Sequence, residues 1–537
     1  MGQQAKRTKT RQSILLLIGI FLAVLVLYRI TLFEPTAPIN AELNRRGYEM
    51  KEAVLESRLA ERGWYEADAN ALRAQLGELF ANAKVEKKEN IIGLILPHAG
   101  YRYSGQTAAY GAKAVKRKYK RIIIIGPTHR VTMEEVFSVP RVNFYKTPLG
   151  KVPLDKEFIE KLTQYPLFTN IPYAHEGEHS VQIEVPMMQF MNEGFKLIPI
   201  VAGQCSIDTI EKAGSILKSM LDEDTLVVAS SDFVHYGPQF GYIPVKENVP
   251  EGIKKIDMGA YEYIVKKDWK GFIKYKQRTG ATICGAVPIG VVVSILPEEA
   301  QVHLAHYTTS GEITGDYSNS VSYLSAVFTG KWKKGQNIKV KKQQQFLLRE
   351  DKENLLSLAR ETIDYGLKHH KIPDEEDLKV EINNTMRQIC GAFVTLHKLA
   401  KDAVGPQRGQ LRGCVGDIFP TKPLYKSVIE NAINAAFRDR RFQPVTIDEM
   451  KDITIEISVL TPPNYVESVD DIKIGIDGVV LQKEGSRAVF LPQVAREQGW
   501  DLQTTLNHLS LKAGLSEEAW KEGARFLVFQ ADVFGEH

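Results

Sequence analysis

The sequence predicts an α/β protein in three parts: an N-terminal transmembrane helix, an α/β domain with a mostly parallel central sheet, and a smaller α+β domain. Three observations carry this. A basic flank precedes an apolar run at the N-terminus, short β-branched runs alternate with helical patterns from Ile91 onward, and a polar, basic stretch near residue 330 separates two differently patterned halves. The 537 residues suffice for two or three domains. With 44% hydrophobic and 25% charged residues the composition is that of a globular protein. The net charge of +4, from 69 basic and 65 acidic residues, gives no case for a nucleic-acid partner. Cys205, Cys284, Cys390 and Cys414 have no CxxC spacing, which argues against a disulfide scaffold.

The N-terminal element comes first. Lys6, Arg7, Lys9 and Arg11 precede the apolar run 14–28, which Ile30–Phe33 extend past Arg29. A bilayer needs about 20 mostly apolar residues, and this run reaches that length if Arg29 snorkels to the interface. A cleaved signal peptide is the competing reading. The long apolar region, closed by an Arg, favours an uncleaved anchor. The basic flank then keeps residues 1–35 as a cytoplasmic tail and anchor, single-pass, with the remaining domains outside the cytoplasm. Residues 38–85 read as helical and amphipathic, packing on the domain that follows.

The α/β domain is expected over 36–330. Its runs Ile91–Leu96, Arg121–Ile125, Leu197–Val201 and Leu226–Ala229 are apolar on both faces, as in strands of a parallel sheet covered on both sides. Helical stretches such as Lys156–Leu162 and Ile207–Leu221 lie between them. Residues 331–345 read as a solvated linker that leaves the two units able to move independently. The second domain, 346–537, opens on a helical pattern at Phe346 and includes strands at Ile453–Leu460 and Val479–Leu481.

Chemistry concentrates where strands end. The first strand runs into Pro97-His98-Ala99-Gly100-Tyr101, the second into Gly126-Pro127-Thr128-His129, and the fourth into Ser231-Asp232-Phe233-Val234-His235-Tyr236-Gly237. Open α/β sheets bind ligands beyond the carboxyl ends of their strands, so His98, His129, Asp232 and His235 are predicted to share one edge. His179-Ser180-Val181-Gln182-Ile183-Glu184 and Cys284-Gly285, with Pro288-Ile289-Gly290, add a His, a carboxylate and a thiol. Imidazole suits zinc, copper and iron, and thiolate favours the softer ions. Each residue alone is more often a satisfied polar group or a small buried thiol; it is the joint pattern that points to a metal. A serine hydrolase is discounted, because no Gly-x-Ser-x-Gly elbow is present.

These five motifs, in this order, resemble the Memo family over roughly residues 38–330. That family resembles the class III extradiol dioxygenases in fold. The resemblance implies that His98, His129 and Cys284 are metal ligands, with iron or copper ahead of zinc, and that Asp232 and His235 sit beside them, either supporting the ligands or handling protons. His179 joins these two as a candidate catalytic residue. A Cys where the facial triad of Fe(II) oxygenases has a carboxylate departs from that pattern. It points to a redox role ahead of ring cleavage. The second half, with Gly409-Gln410-Leu411-Arg412-Gly413-Cys414-Val415-Gly416, Ala435-Ala436-Phe437-Arg438-Asp439-Arg440-Arg441-Phe442 and Phe490-Leu491-Pro492-Gln493-Val494-Ala495, resembles an AMMECR-type domain. There Cys414 is either a thiolate activated by nearby arginines or a buried thiol, and Asp439, Arg440 and Arg441 either bind an anion or form an ion-pair network.

The fusion resembles the AmmeMemoRadiSam system, which implies a radical S-adenosylmethionine protein as partner. The reading is thus a membrane-anchored metal protein, possessing a redox or dioxygenase-like role on an unknown small molecule or protein. The alternative is a non-catalytic scaffold that recognises a peptide or modified protein, with Tyr101, Tyr103, Phe233 and Tyr236 lining its pocket.

Overall fold

The computed structural model describes residues 54–332, 347–383, 385–398, 409–466 and 468–536. The first unit is built on a mixed nine-stranded sheet. Four parallel strands form its centre: β1 (Ile91–Leu96), β2 (Arg121–Pro127), β3 (Lys196–Ala202) and β4 (Thr225–Ser230), in the spatial order β1-β4-β2-β3. Apart from Arg121 and Lys196 at their starts, these strands are buried along their whole length, as the unbroken apolar runs require. Antiparallel strands close the edges. Ser320–Thr329 pairs with β1, Gln301–Thr309 with Ser320–Thr329, and Phe137–Ser138 with β3.

Helices cover both faces. A Cβ placed on Gly93 of β1 would meet Val292 of helix Ala286–Ile295, while Leu96, three positions on and facing the other way, touches Gly111 of helix Gln106–Ala114. Strand alternation therefore puts these two helices on opposite faces. Parallel registry sets the site. Leu96 pairs with Ser230, and Ile125 with Ala229, so β1, β4 and β2 end at one level.

The second unit holds two antiparallel four-stranded sheets. Helices Arg349–His369 and Leu424–Phe437 pack on the sheet formed by Gln410–Gly416, Gly391–Lys398, Ile453–Leu460 and Ala531–Gly535. Helix Leu502–Lys512 packs on the other, which contains Gly478–Lys483 and Arg525–Phe529.

Three expectations need correction. The expected fold class began with a membrane-spanning helix, but no helix among the described residues is long and apolar enough to cross a membrane. The run 14–33 that carried the expectation lies outside the described residues. The apolar helix Ala286–Ile295 has 10 residues, about half a bilayer's span, and it is a core helix buried under the sheet. The single-pass localisation with extracytoplasmic domains rested on the same helix and falls with it. Second, within 38–85, only Ala69–Asn82 forms a regular α-helix among the described residues. Val54–Glu56 instead pairs with Phe144–Thr147 as a strand. Third, the two units are joined by more than a linker, most of which lies outside the described residues. Ile389, Phe419, Leu460, Val480, Leu527 and Phe529 of the second unit belong to the buried core of the first. Arg487 lies over the rings of Tyr173 (5.4 Å) and Phe419 (5.7 Å) across this boundary.

Candidate functional site

Two residues beyond β1 stands His98, two beyond β2 stands His129, and two beyond β4 stands Asp232. The shared strand level brings all three to one edge. Cys284 reaches the same place from the turn before helix Ala286–Ile295. That turn presses on β4 so closely that a Cβ on Gly285 would sit 2.3 Å from Ser231 Cβ. The donor atoms of His98, His129 and Cys284 all lie within 4.8 Å of one another, and those of His129, Glu178 and His179 form an overlapping group of the same kind.

The protons in this cluster can be followed. His98 is buried, with its Nδ1 2.9 Å from Ser230 Oγ and its Nε2 3.1 Å from Cys284 Sγ. Ser230 gives its single proton to the carbonyl of Ser180 at 2.6 Å, an acceptor only. Its oxygen therefore accepts from His98 Nδ1–H, and the lone pair of His98 rests on Nε2, facing the thiol. Burial, together with the charges of His179, His129 and His235, holds the His98 pKa well below that of a free imidazole. Glu184, 3.1 Å from Ser230 Oγ, is pushed well up by burial.

His129 is fixed from the other side. Glu178 accepts from its backbone N–H at 2.6 Å and holds its Nδ1 at 2.8 Å, which leaves Nε2 for the cluster. Burial alone would raise the Glu178 carboxyl, yet its bond to His129 and the charges of His129 and His179 hold it down at about 2. Glu178 also caps the helical turn His179–Gln182 by accepting from Ser180 N–H at 3.0 Å. That turn sits against the end of β2 so tightly that a Cβ on Gly126 would lie 2.3 Å from Ser180 Oγ. His179 stacks on His129, ring centroids 4.2 Å apart, and burial lowers its pKa to about 4.

Asp232 is buried and accepts from His98 N–H at 2.8 Å, and burial raises its pKa. It thus ties the β1 and β4 loops together. His235 Nδ1 lies 2.9 Å from the carbonyl of Phe233 and 3.0 Å from that of Thr282, two acceptors, so Nδ1 carries a proton. Cys284 is raised by burial and by the charge of Asp232, which makes the metal-free group a thiol donating towards His98 Nε2.

Five of the six sequence-predicted site residues, His98, His129, His179, Asp232 and Cys284, thus meet at this edge, and His235 acts on His98 and Asp232 through its charge. Sequence reasoning missed Glu178 and Ser230 as the groups that set the imidazole protons, and Trp64, whose ring lies 4.9 Å from that of His179. Only the Glu-His pair at 178–179 offered a sequence signal, an acid beside a candidate ligand. In the second unit, Arg412 binds Glu449 at 2.8 and 3.0 Å, and Arg441 lies against Cys414, donating to its carbonyl at 3.1 Å. Asp439 accepts from Cys414 N–H at 2.9 Å and pairs with Arg441 at 2.7 Å, the ion-pair arrangement.

The donor set fits a transition metal: two imidazoles whose remaining nitrogens are held by protein groups, and one sulfur. A family model described as Memo-like protein matches residues 58–327, and one described as AMMECR1 matches residues 356–534. A MEMO1 family protein of Thermococcus onnurineus is 30% identical over 249 residues, 44% of this chain and 85% of that protein. One of Pyrococcus abyssi is 30% identical over 281 residues, covering 49% and 96%. A protein of Methanothermobacter thermautotrophicus is 39% identical over 200 residues, covering 35% and 96%. Among solved structures, an uncharacterized protein of Pyrococcus horikoshii shows 36% identity over 36% of this chain and 95% of its own, with a TM-score of 0.33. The chain belongs to the Memo family and carries a C-terminal AMMECR1 domain.

Proposed function

We propose that the Memo unit holds an iron or copper ion on His98, His129 and Cys284 and serves a redox reaction on a small molecule or modified protein at the strand-end edge. The observation that carries this is the convergence of His98, His129 and Cys284 donor atoms within 4.8 Å, with both imidazoles oriented by Ser230 and Glu178. When bound, such an ion supplies one-electron or O₂ chemistry. The chain's own residues bind and orient around it. Ser230 keeps the His98 lone pair on Nε2, Glu178 keeps His129 in place, and Asp232 holds the loop bearing His98. His235 and His179 are the proton-handling groups. With its Nδ1–H given to two carbonyls, His235 has Nε2 free to take a proton from a substrate. His179, at about 4, is neutral at physiological pH and can do the same. A radical S-adenosylmethionine protein as partner is part of this proposal, on the strength of the family resemblance, and co-purification tests it.

Elemental analysis of the purified chain beside His98→Ala and Cys284→Ser tests the metal. Bound iron or copper that falls in both variants is the expected result. An electron paramagnetic resonance signal of the loaded protein that changes on ascorbate addition tests the redox role. No bound metal after anaerobic reconstitution turns the reading to a scaffold that recognises its partner without chemistry.

A further inference from the structure

A cavity of about 590 Å³ lies between the two units, walled on one side by residues 141–170 and on the other by residues 389–390, 459–464 and 530–532. This volume is that of a small-molecule site. Its polar groups are unfinished. Asn170 is 2% exposed, and neither its amide oxygen nor its amide nitrogen has a hydrogen-bond partner among the described residues. Thr169 Oγ1 beside it is also buried and unpartnered. Buried amides are normally satisfied, so a paired donor and acceptor left open in one lining residue call for a ligand.

Arg141 lines the same cavity. Its guanidinium donates to Asn464 Oδ1 and to Thr163 Oγ1 at 2.9 Å, two neutral acceptors, and leaves further N–H groups of its fork. Burial lowers its pKa against the charge of Glu160, and among the described residues it has no carboxylate ion pair. Asp532, the acid in the lining, is taken by Lys352 at 2.7 Å. A half-buried guanidinium with no carboxylate in contact among the described residues favours an anion, and its fork matches a carboxylate. Phe168, Ile389, Leu460 and Pro462 supply apolar wall.

We propose that this inter-domain cavity binds a carboxylate attached to a secondary amide and an aliphatic side chain, as in an N-acylated amino acid or the free C-terminus of a peptide. The carboxylate meets Arg141. The amide pairs reciprocally with Asn170, its C=O accepting from Nδ2–H and its N–H donating to Oδ1. The aliphatic group fills the apolar wall.

The test is isothermal titration of the full chain with N-acetyl-L-leucine, with N-acetyl-L-leucinamide as the uncharged control, and with a heptapeptide ending in leucine. The expected result is saturable binding of N-acetyl-L-leucine, the peptide or both, at least tenfold weaker binding of the amide control, and at least tenfold weaker binding to Arg141→Met and to Asn170→Leu. Binding of the acid without the peptide identifies a free metabolite as the source. Binding of the peptide identifies a chain terminus. Arg141→Lys, which keeps the charge and loses the fork, guards against misfolding and is expected to weaken binding with an unchanged melting temperature. Bound metal stays the same in all three variants, which separates this site from the strand-end cluster. Absence of saturable binding by acid and peptide, equal binding of the amide, or unchanged binding in folded Arg141→Met and Asn170→Leu overturns the proposal.

Discussion

His98 Nε2 lies 3.1 Å from Cys284 Sγ, and the proton that would spoil this pairing is held on the far side of the ring by Ser230. The two residues are 186 positions apart in the chain. They meet because β1 and β4 end in register and the Cys284-Gly285 turn presses against β4.

The first prediction concerns Ser230. Ser230→Ala removes the acceptor for His98 Nδ1–H while leaving the strand intact. Outer partners of this kind are worth about 10–100-fold in metal affinity. Competition with a chromophoric chelator is expected to show a loss in that range, and an unchanged affinity would remove Ser230 from the account.

Glu178 makes a second case. Glu178→Ala frees the His129 ring, uncaps the turn His179–Gln182, and leaves the His129 backbone N–H unpaired. The expected outcome is weaker metal binding together with about 1–3 kcal/mol lower stability in denaturant titrations. Metal affinity lost at full stability would mean that the carboxylate acts on the metal alone.

Stability against pH gives a third. Asp257 is fully buried, accepts from Val234 N–H at 3.0 Å and from Tyr307 O–H at 2.8 Å, and is raised by burial to about 6. A raised carboxyl is most favourable in its protonated form. Its stabilisation is fully present below the unfolded value, about 3.9, and is lost as pH rises through about 6. The loss is of the order of 3 kcal/mol at neutral pH. Melting temperatures of wild type and Asp257→Asn should coincide near pH 4 and separate in favour of the variant by pH 7.5. A constant difference across that range would contradict the assignment.

The boundary between the units supplies the fourth. Arg487 stacks over one ring from each unit, and Glu134 joins Lys426 across the same boundary while its backbone N–H donates to Thr421 O at 2.8 Å. Removing Arg487 costs about 0.5–1 kcal/mol for each ring it covers. Arg487→Ala combined with Lys426→Ala is expected to broaden or split the calorimetric transition that the shared core makes joint. A single unchanged transition would mean that apolar contacts alone couple the units.

Much of the site could be read from the chain. Unbroken apolar runs such as Ile122–Ile125 mark doubly covered strands, and a His or Asp two to four residues past such a run is aimed at the carboxyl edge. Cys284 was legible through the Gly that follows it. Ser230 and Glu178 were not, because serine and glutamate carry no pattern that says which imidazole nitrogen they will meet. The antiparallel edges depend on pairings such as Ala326 with Ile95, too far apart for local periodicity to show. The shared core was hidden for a related reason: Phe419 and Leu527 look like ordinary core residues of their own unit. The segment before Ile91 misled because a helical spacing of leucines is equally compatible with Val54–Glu56 as a short strand and Leu59 packed beneath the fold.

The central claim is that Cys284 and two imidazoles hold one metal ion. Metal-edge X-ray absorption of the loaded full-length chain, beside Cys284→Ser, addresses it most directly. The account predicts a sulfur shell together with imidazole scattering in the wild type, and loss of the sulfur shell in the variant. A wild-type spectrum with nitrogen and oxygen ligands alone, or a sulfur shell that survives Cys284→Ser, would contradict it.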